Sequence, residues 1–420
     1  MFKQLPLASI AIAASLSLTA CNLEISVDEN EGTEQPQQPT QPVEKIVTTG
    51  AVIQTVAPDY ANSQVAKVEY DASTGSYSLT DGYLLKDDSD YNVSTYMEQV
   101  FHIGRNDIDT ITFHSADALD VTSLSVSTNL AGEVASANAY KVVVLNQDKG
   151  YVIRYGAEEI LVVDPTPSSA ADFVTGTIDL SAYTFAGSED LSPQAADAVV
   201  VDGKLFVVMQ RMLIVAGSWT PNTPYLAVID TATDTEIETN ADDSDSLKGI
   251  PLNGINPLSD PLYAFNGSVY VSTSGWWSNS DVSISKLEKV DTTTYALSEV
   301  LTAADLPNDA GQKIDRAVVI DDDKGYIYAS SGWPTVSTLY EFNPSNGAIV
   351  NTDVALTAAN GEGIAAIAVD NNQQLWLSIN SATNPGIDII DTNDNSAVTN
   401  RLPTVMNPGR IAFIEELVTE

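Results

Sequence analysis

The amino-acid sequence predicts an all-β protein, a seven-bladed β-propeller with four strands per blade, and three observations predict it. From about residue 48, short runs rich in Val, Ile, Ala, Tyr and Thr are broken at close intervals by Asp, Asn, Gly and Pro, and none sustains a 3.6-residue apolar period for long. One unit also recurs, a strand ending in an Asx turn: Val68-Glu69-Tyr70-Asp71, Val162-Val163-Asp164-Pro165, Val228-Ile229-Asp230-Thr231, Lys289-Val290-Asp291-Thr292, Glu341-Phe342-Asn343-Pro344 and Ile389-Ile390-Asp391-Thr392, with a weaker copy at Thr112-Phe113-His114. Anchored on Asp71, His114, Asp164, Asp230, Asp291, Asn343 and Asp391, the units are spaced by 43 to 66 residues, the size of a four-stranded blade. Finally, the chain ends in Asn407-Pro408-Gly409-Arg410-Ile411-Ala412-Phe413-Ile414, an innermost strand with no companions after it, whereas the first repeat lacks one. The last strand therefore completes the first blade and closes the ring, removing open sheet edges.

Before the repeats, Lys3 gives a short positive start, Leu5 to Leu18 form an apolar run, and Leu18-Thr19-Ala20 ends it in small residues directly ahead of Cys21, the only cysteine. This resembles the lipobox of bacterial lipoproteins. The resemblance implies that residues 1–20 are a signal peptide and that Cys21 carries the lipid, where several acyl chains make a stable anchor. The competing reading is an ordinary secretory signal with a cysteine near its cleavage site by chance. Asn22 resembles the residue after the lipid in lipoproteins exported to the outer membrane of enteric-type bacteria, so the expected location is that membrane, at its periplasmic face or the cell surface. Residues 21–47, with Glu34-Gln35-Pro36-Gln37-Gln38-Pro39-Thr40-Gln41-Pro42, hold too little apolar surface to fold and read as a tether. The propeller is assigned to 48–420.

Within the sixth repeat, Ala317-Val318-Val319-Ile320 reads as the innermost strand A, Tyr326 to Ser330 as B, Ser337 to Phe342 as C, and Ala348-Ile349-Val350 as the start of D. Asp202-Gly203, Asn266-Gly267 and Asp370-Asn371-Asn372 supply A–B turns in the fourth, fifth and seventh. Tyr225-Leu226-Ala227-Val228-Ile229-Asp230-Thr231-Ala232-Thr233 and Gly386-Ile387-Asp388-Ile389-Ile390-Asp391-Thr392 resemble the YVTN-repeat, YncE-like propellers, clearly in blades four to seven and poorly in one and two. Such motifs imply the fold far better than a function. Some surface lipoproteins of this general type, including corrinoid-capturing propellers of gut Bacteroidetes, look like partners of TonB-dependent transporters, and an outer-membrane transporter is the partner this likeness implies.

Composition excludes several classes. Fifty-seven acidic against eighteen basic residues give a formal charge of -39, which argues against nucleic acid and against anionic lipid except through Cys21. After lipidation no thiol remains, and His102 and His114 stand in no metal-binding or triad motif. His102, in Phe101-His102-Ile103-Gly104-Arg105, is expected between blades. The runs Asp87-Asp88-Ser89-Asp90, Asp242-Asp243-Ser244-Asp245 and Asp321-Asp322-Asp323 lack EF-hand spacing and read as solvated turns, so no cofactor is expected beyond, at most, structural calcium there.

The site follows from strand order, because B–C loops and the D–A connections between blades share one face. Arg105, Arg154, Arg211, Arg316 and Arg410 all fall on that face; only Arg401 lies elsewhere. Ala216-Gly217-Ser218-Trp219, Ser274-Gly275-Trp276-Trp277 and Ser331-Gly332-Trp333 occupy B–C positions of three successive blades, whereas Trp376 lies within a strand B. Guanidinium forks match carboxylates and phosphates, and indole faces give apolar contact at small entropic cost. Arg105, Arg154, Arg211, Trp219, Trp276, Trp277, Arg316, Trp333 and Arg410 are therefore the expected binding residues for a small anionic, partly aromatic or ring-shaped ligand. In the competing reading, the tryptophans pad loops and the arginines pair with Asp107, Glu158, Asp281 or Asp315. The function expected is capture of a nutrient or metallophore by a non-enzymatic binding protein. The alternatives are a protein- or glycan-binding scaffold or adhesin, and a lactonase or hydrolase using a channel metal.

Overall fold

The computed structural model describes residues 44–419 apart from 241, 243, 259, 277–279 and 308–310. Cys21, the tether and Trp277 lie outside the described residues. Among the described residues no helix is long and apolar enough to cross a membrane.

Seven antiparallel sheets, each built on four strands, form the blades. Their innermost strands A are Asn407–Thr419, Tyr91–Tyr96, Ala139–Asn146, Ala195–Val201, Leu262–Phe265, Lys313–Val319 and Gly363–Val369, for blades one to seven. The first of these comes from the chain's far end and pairs with Glu44–Val56, from Glu44 opposite Thr419 to Val56 opposite Asn407. Ring closure by the C-terminal strand is thus as the sequence predicts, and strand B of blade one extends back to Glu44 because Lys45 to Thr48 pair with Glu415 to Val418. In blade four the edge of strand C, Tyr225–Asp230, is covered by two short pieces, Thr235–Glu236 and Ile250–Pro251, with an excursion between them carrying the Asp242 run.

The recurrent Asx unit has a physical cause. Asp71, Asp164, Asp230, Asp291, Asn343 and Asp391 each end strand C or follow it directly, and each accepts with its side chain the N–H two residues on, at 2.8 to 3.0 Å. In blade two the turn residue is Ser115, whose hydroxyl accepts from Asp117 N–H, rather than His114. Threonine follows the aspartate in blades four, five and seven because its hydroxyl donates to the A–B turn of the same blade: Thr231 to Gly203 O, Thr292 to Gly267 O and Thr392 to Gln373 O. Asp88, Asp242 and Asp321 make the same Asx turns, so the acidic runs act locally as turn caps.

Alternation along the strands places Val, Ile, Leu and aromatic residues between neighbouring blades in buried clusters around the ring. Each fully buried side chain of this type contributes roughly 1.5–3 kcal/mol. The cluster between blades seven and one joins Trp376 to Ile53, Ile387 and Ile411, and the indole N–H donates to Asp370 at 3.0 Å.

Candidate functional site

Innermost strands set what faces the central channel, and five of them carry a β-bulge near the end that meets the D–A connections. The extra residue is Tyr140 in blade three, Ala196 in blade four, Asp315 in blade six, Ala365 in blade seven, and one of Gly409 and Arg410 in blade one. A bulge bends its strand and re-aims the following side chain. The residues beside these bulges include Lys141, Asp197, Arg316 and Arg410. Blade five contributes Asp260, which precedes its strand A in a left-handed conformation (φ 58°) that Asp tolerates better than most residues.

These side chains form one ion cluster. Arg410 Nε donates to Asp260 Oδ2 at 2.8 Å, its Nη2 to Oδ1, and its Nη1 to Tyr140 O at 2.9 Å. Arg316 Nη1 lies 3.6 Å from the same Oδ2, and Lys141 Nζ 4.0 Å from Oδ1. Lys141 is held more firmly by Asp197, at 2.7 Å, whose other oxygen accepts Leu262 N–H. Burial alone would raise the Asp260 carboxyl; Arg410, Arg316 and Lys141 overcome it and hold the group well below the usual carboxylate range. Arg316 Nε is buried with no partner.

Two cavities meet at this cluster. An inner chamber of about 180 Å³ is walled by Val93, Ser94, Val142, Ile411 and Ala412 with Lys141, Arg316, Arg410 and Asp260. A mouth of about 410 Å³ shares Asp260 and Arg410 with it and adds Tyr60, Tyr91, Arg105, Tyr140 and Leu258. The Arg410–Asp260 pair is therefore the partition between them. At the mouth the Arg105 guanidinium lies 4.3 Å from the Tyr140 ring centre and its Nε 3.2 Å from Asp90. Tyr140 in turn stacks on Tyr155, 4.6 Å between centres and 8° from parallel. The Tyr155 hydroxyl donates to Gln210, and Gln210 to Asn256 in the connection that carries Asp260. Glu288, fully buried, fixes the start of that connection by accepting Gly254 N–H at 2.9 Å and Asn253 Nδ2 at 2.8 Å.

The expected residues divide accordingly. Arg105, Arg316 and Arg410 converge on the channel. Arg154 does not: its side chain is 0 % exposed and braces blade three, clasping both oxygens of Glu133 at 2.7 and 2.8 Å and donating to Thr128 O and Glu159 O. Arg211 is equally structural, donating to Tyr183 O and Thr223 O over the Tyr225 ring. The pairing partners are Asp90, Glu133, Glu159 and Asp260 rather than Asp107, Glu158, Asp281 or Asp315. Arg401, away from the channel, binds Glu362 and Asp388. Neither cavity wall contains a described tryptophan. Trp276 is buried, and Trp219 and Trp333 stand 44 % and 88 % exposed on B–C loops of the same face, Trp219 on the added hairpin Leu213–Val215 and Ser218–Thr220. The described aromatic side chains that line the mouth are Tyr60, Tyr91 and Tyr140.

Asp260, Lys141 and Asp197 escaped the sequence argument. In sequence Ser259-Asp260-Pro261 reads as a turn before a strand, and only the bulges and the ring bring it to arginines from blades one and six. His102 sits within strand B of blade two, stacked on the Tyr91 ring at 4.7 Å; burial pushes its pKa down to about 3. Among the described residues no group of three or more His, Cys, Asp or Glu is placed to hold a metal ion.

No family profile matches this chain, and no curated protein matches it in sequence. Solved structures do. A protein from Lactobacillus plantarum superposes with a TM-score of 0.59 at 10% identity, covering 88% of this chain and 100% of its own. A candidate 6-phosphogluconolactonase from Bacteroides uniformis gives 0.55 at 12% identity, covering 87% and 100%, and another from Bacteroides fragilis gives 0.52 at 11%, covering 88% and 98%. At these identities the likeness is one of fold.

Proposed function

We propose that this protein is a lipid-anchored, cell-envelope binding protein that captures a small anionic, partly aromatic or ring-shaped molecule at the channel mouth and passes it to an outer-membrane transporter. One observation carries the reading: a single carboxylate, Asp260, serves three cations, and one of them, Arg316, is left incompletely paired at a cavity wall. At the mouth, Arg105 over the Tyr140 ring and Arg410 at the partition to the Arg316 chamber suit a carboxylate or phosphate attached to a planar body. The acidity of the rest of the surface makes such a cationic spot selective by contrast. The exposed Trp219 and Trp333 on the same face leave room for a larger partner there.

Ligand extraction from protein purified from its native host, read by mass spectrometry and absorbance, tests this directly. A recovered anionic chromophore should bind at least about tenfold more weakly to Arg316→Ala or Arg410→Ala, since each charge-assisted hydrogen bond contributes roughly 1.5–3 kcal/mol. Arg211→Ala and Arg401→Ala should bind it normally. A ligand indifferent to both channel arginines would sink the proposal. Because two of the fold relatives are candidate lactonases, the same preparations should be assayed for ester turnover, which would favour a hydrolase instead.

A further inference from the structure

Charge counting identifies what the inner chamber takes. Lys141 is neutralised by Asp197 at 2.7 Å, and Arg410 engages both oxygens of Asp260. That leaves Arg316, whose nearest carboxylate oxygen is 3.6 Å away and already bonded, and whose Nε has no partner. Asp315 does not fill the gap: it is absent from the chamber wall, and its own Oδ2 is buried without a partner. The chamber is therefore short of one negative charge, and a cation that is only 15% exposed and shares its one carboxylate with Arg410 is costly to keep. Val93, Val142, Ile411 and Ala412 form the apolar part of the chamber wall. The Ser94 hydroxyl accepts Val142 N–H at 3.2 Å, which leaves its own proton free to be donated. At about 30 Å³ per water, the chamber has room for roughly six water-sized groups.

Resting on the channel reading above, we infer that the inner chamber is a monocarboxylate subsite: Arg316 and Ser94 hold the carboxylate, and the apolar wall receives a short aliphatic chain. A dianion such as phosphate is disfavoured because its second charge would meet Asp260. The carboxylate is either that of a free short-chain acid or the arm of a larger ligand whose body lies in the tyrosine-lined mouth. Asp260 is thereby a specificity-determining residue, setting the number of charges the chamber accepts.

Calorimetric titration of the full chain at fixed ionic strength tests this with butyrate, butyramide, inorganic phosphate and 4-phenylbutyrate. Butyrate should bind at least about tenfold more tightly than phosphate or the uncharged amide, and Arg316→Gln should abolish the difference. Asp260→Asn adds one surplus positive charge and should invert the order in favour of phosphate. A tighter 4-phenylbutyrate complex identifies the arm of a larger ligand, an equal or weaker one a free short acid; both support the subsite. Equal binding of butyrate and butyramide, or butyrate binding unchanged in Arg316→Gln, would overturn it, and neither result needs the Asp260 variant to fold. If an extracted ligand depends on Arg316 and Arg410 while butyrate does not bind, the capture reading stands and the subsite falls. If butyrate shows the stated selectivity and no ligand is recovered, the subsite stands alone.

Discussion

Arg154 and Arg316 are the same residue type on the same face, yet one is a strut and the other faces a cavity. Arg154 ends a strand B and turns into the seam beneath the Glu133 connection; Arg316 follows a bulge in a strand A and is turned toward the channel. Asp315, the bulge residue itself, shows the cost of that geometry. Burial pushes its carboxyl up to about 6 from an ordinary 3.8. Below about pH 3 the group is largely protonated in both folded and unfolded chains and is neutral to stability. As pH rises through about 6, the unfolded chain has already released its proton freely while the native state must ionise a buried group, so the native state loses stability. Asp315→Asn should raise the melting temperature at about pH 7.5 and change it little at about pH 3, as followed by scanning calorimetry. An equal shift at both pH values would show that the carboxyl's titration is not the cause.

At the scale of elements, the paired strands Glu44–Val56 and Asn407–Thr419 decide whether the ring exists. Removing residues 407–420 takes the innermost strand from blade one, exposes Ala51, Ile53 and Trp376, and leaves an open edge on Glu44–Val56. That truncation should lose cooperative unfolding altogether. A chain lacking residues 22–43 keeps every described strand, and its melting temperature should stay within about 2 °C of the full chain, since less than about 1 kcal/mol is at stake. Comparable damage from the two deletions, measured by circular dichroism melts, would contradict this account of closure.

For the whole molecule, direction matters. Strand Glu44–Val56 runs toward its B–C loop, so the chain enters the propeller at Glu44 on the face of the A–B and C–D turns, opposite the mouth that holds Arg105 and Arg410. Cys21→Ser should release a folded, soluble protein from the membrane fraction with its affinity for ligand unchanged. Wild-type protein that takes up no radiolabelled palmitate, or that remains soluble, would remove the anchor from the proposal.

The sequence by itself determined the all-β class, seven repeats, their strand order, the Asx turns and the strand that closes the ring. These are local or periodic properties: alternation, turn chemistry and the spacing of Asp-Thr pairs are written in adjacent residues. It also placed Arg105, Arg316 and Arg410 on one face, because strand order alone fixes which loops share a side. The tertiary structure decided which arginines meet. Arg410, Arg316, Asp260 and Lys141 come from blades one, six, five and three, and their convergence depends on bulges and on a left-handed Asp260 that leave no periodic mark. Arg154 looked equivalent to them in sequence, but side-chain direction at the end of a strand is set by packing against the next blade.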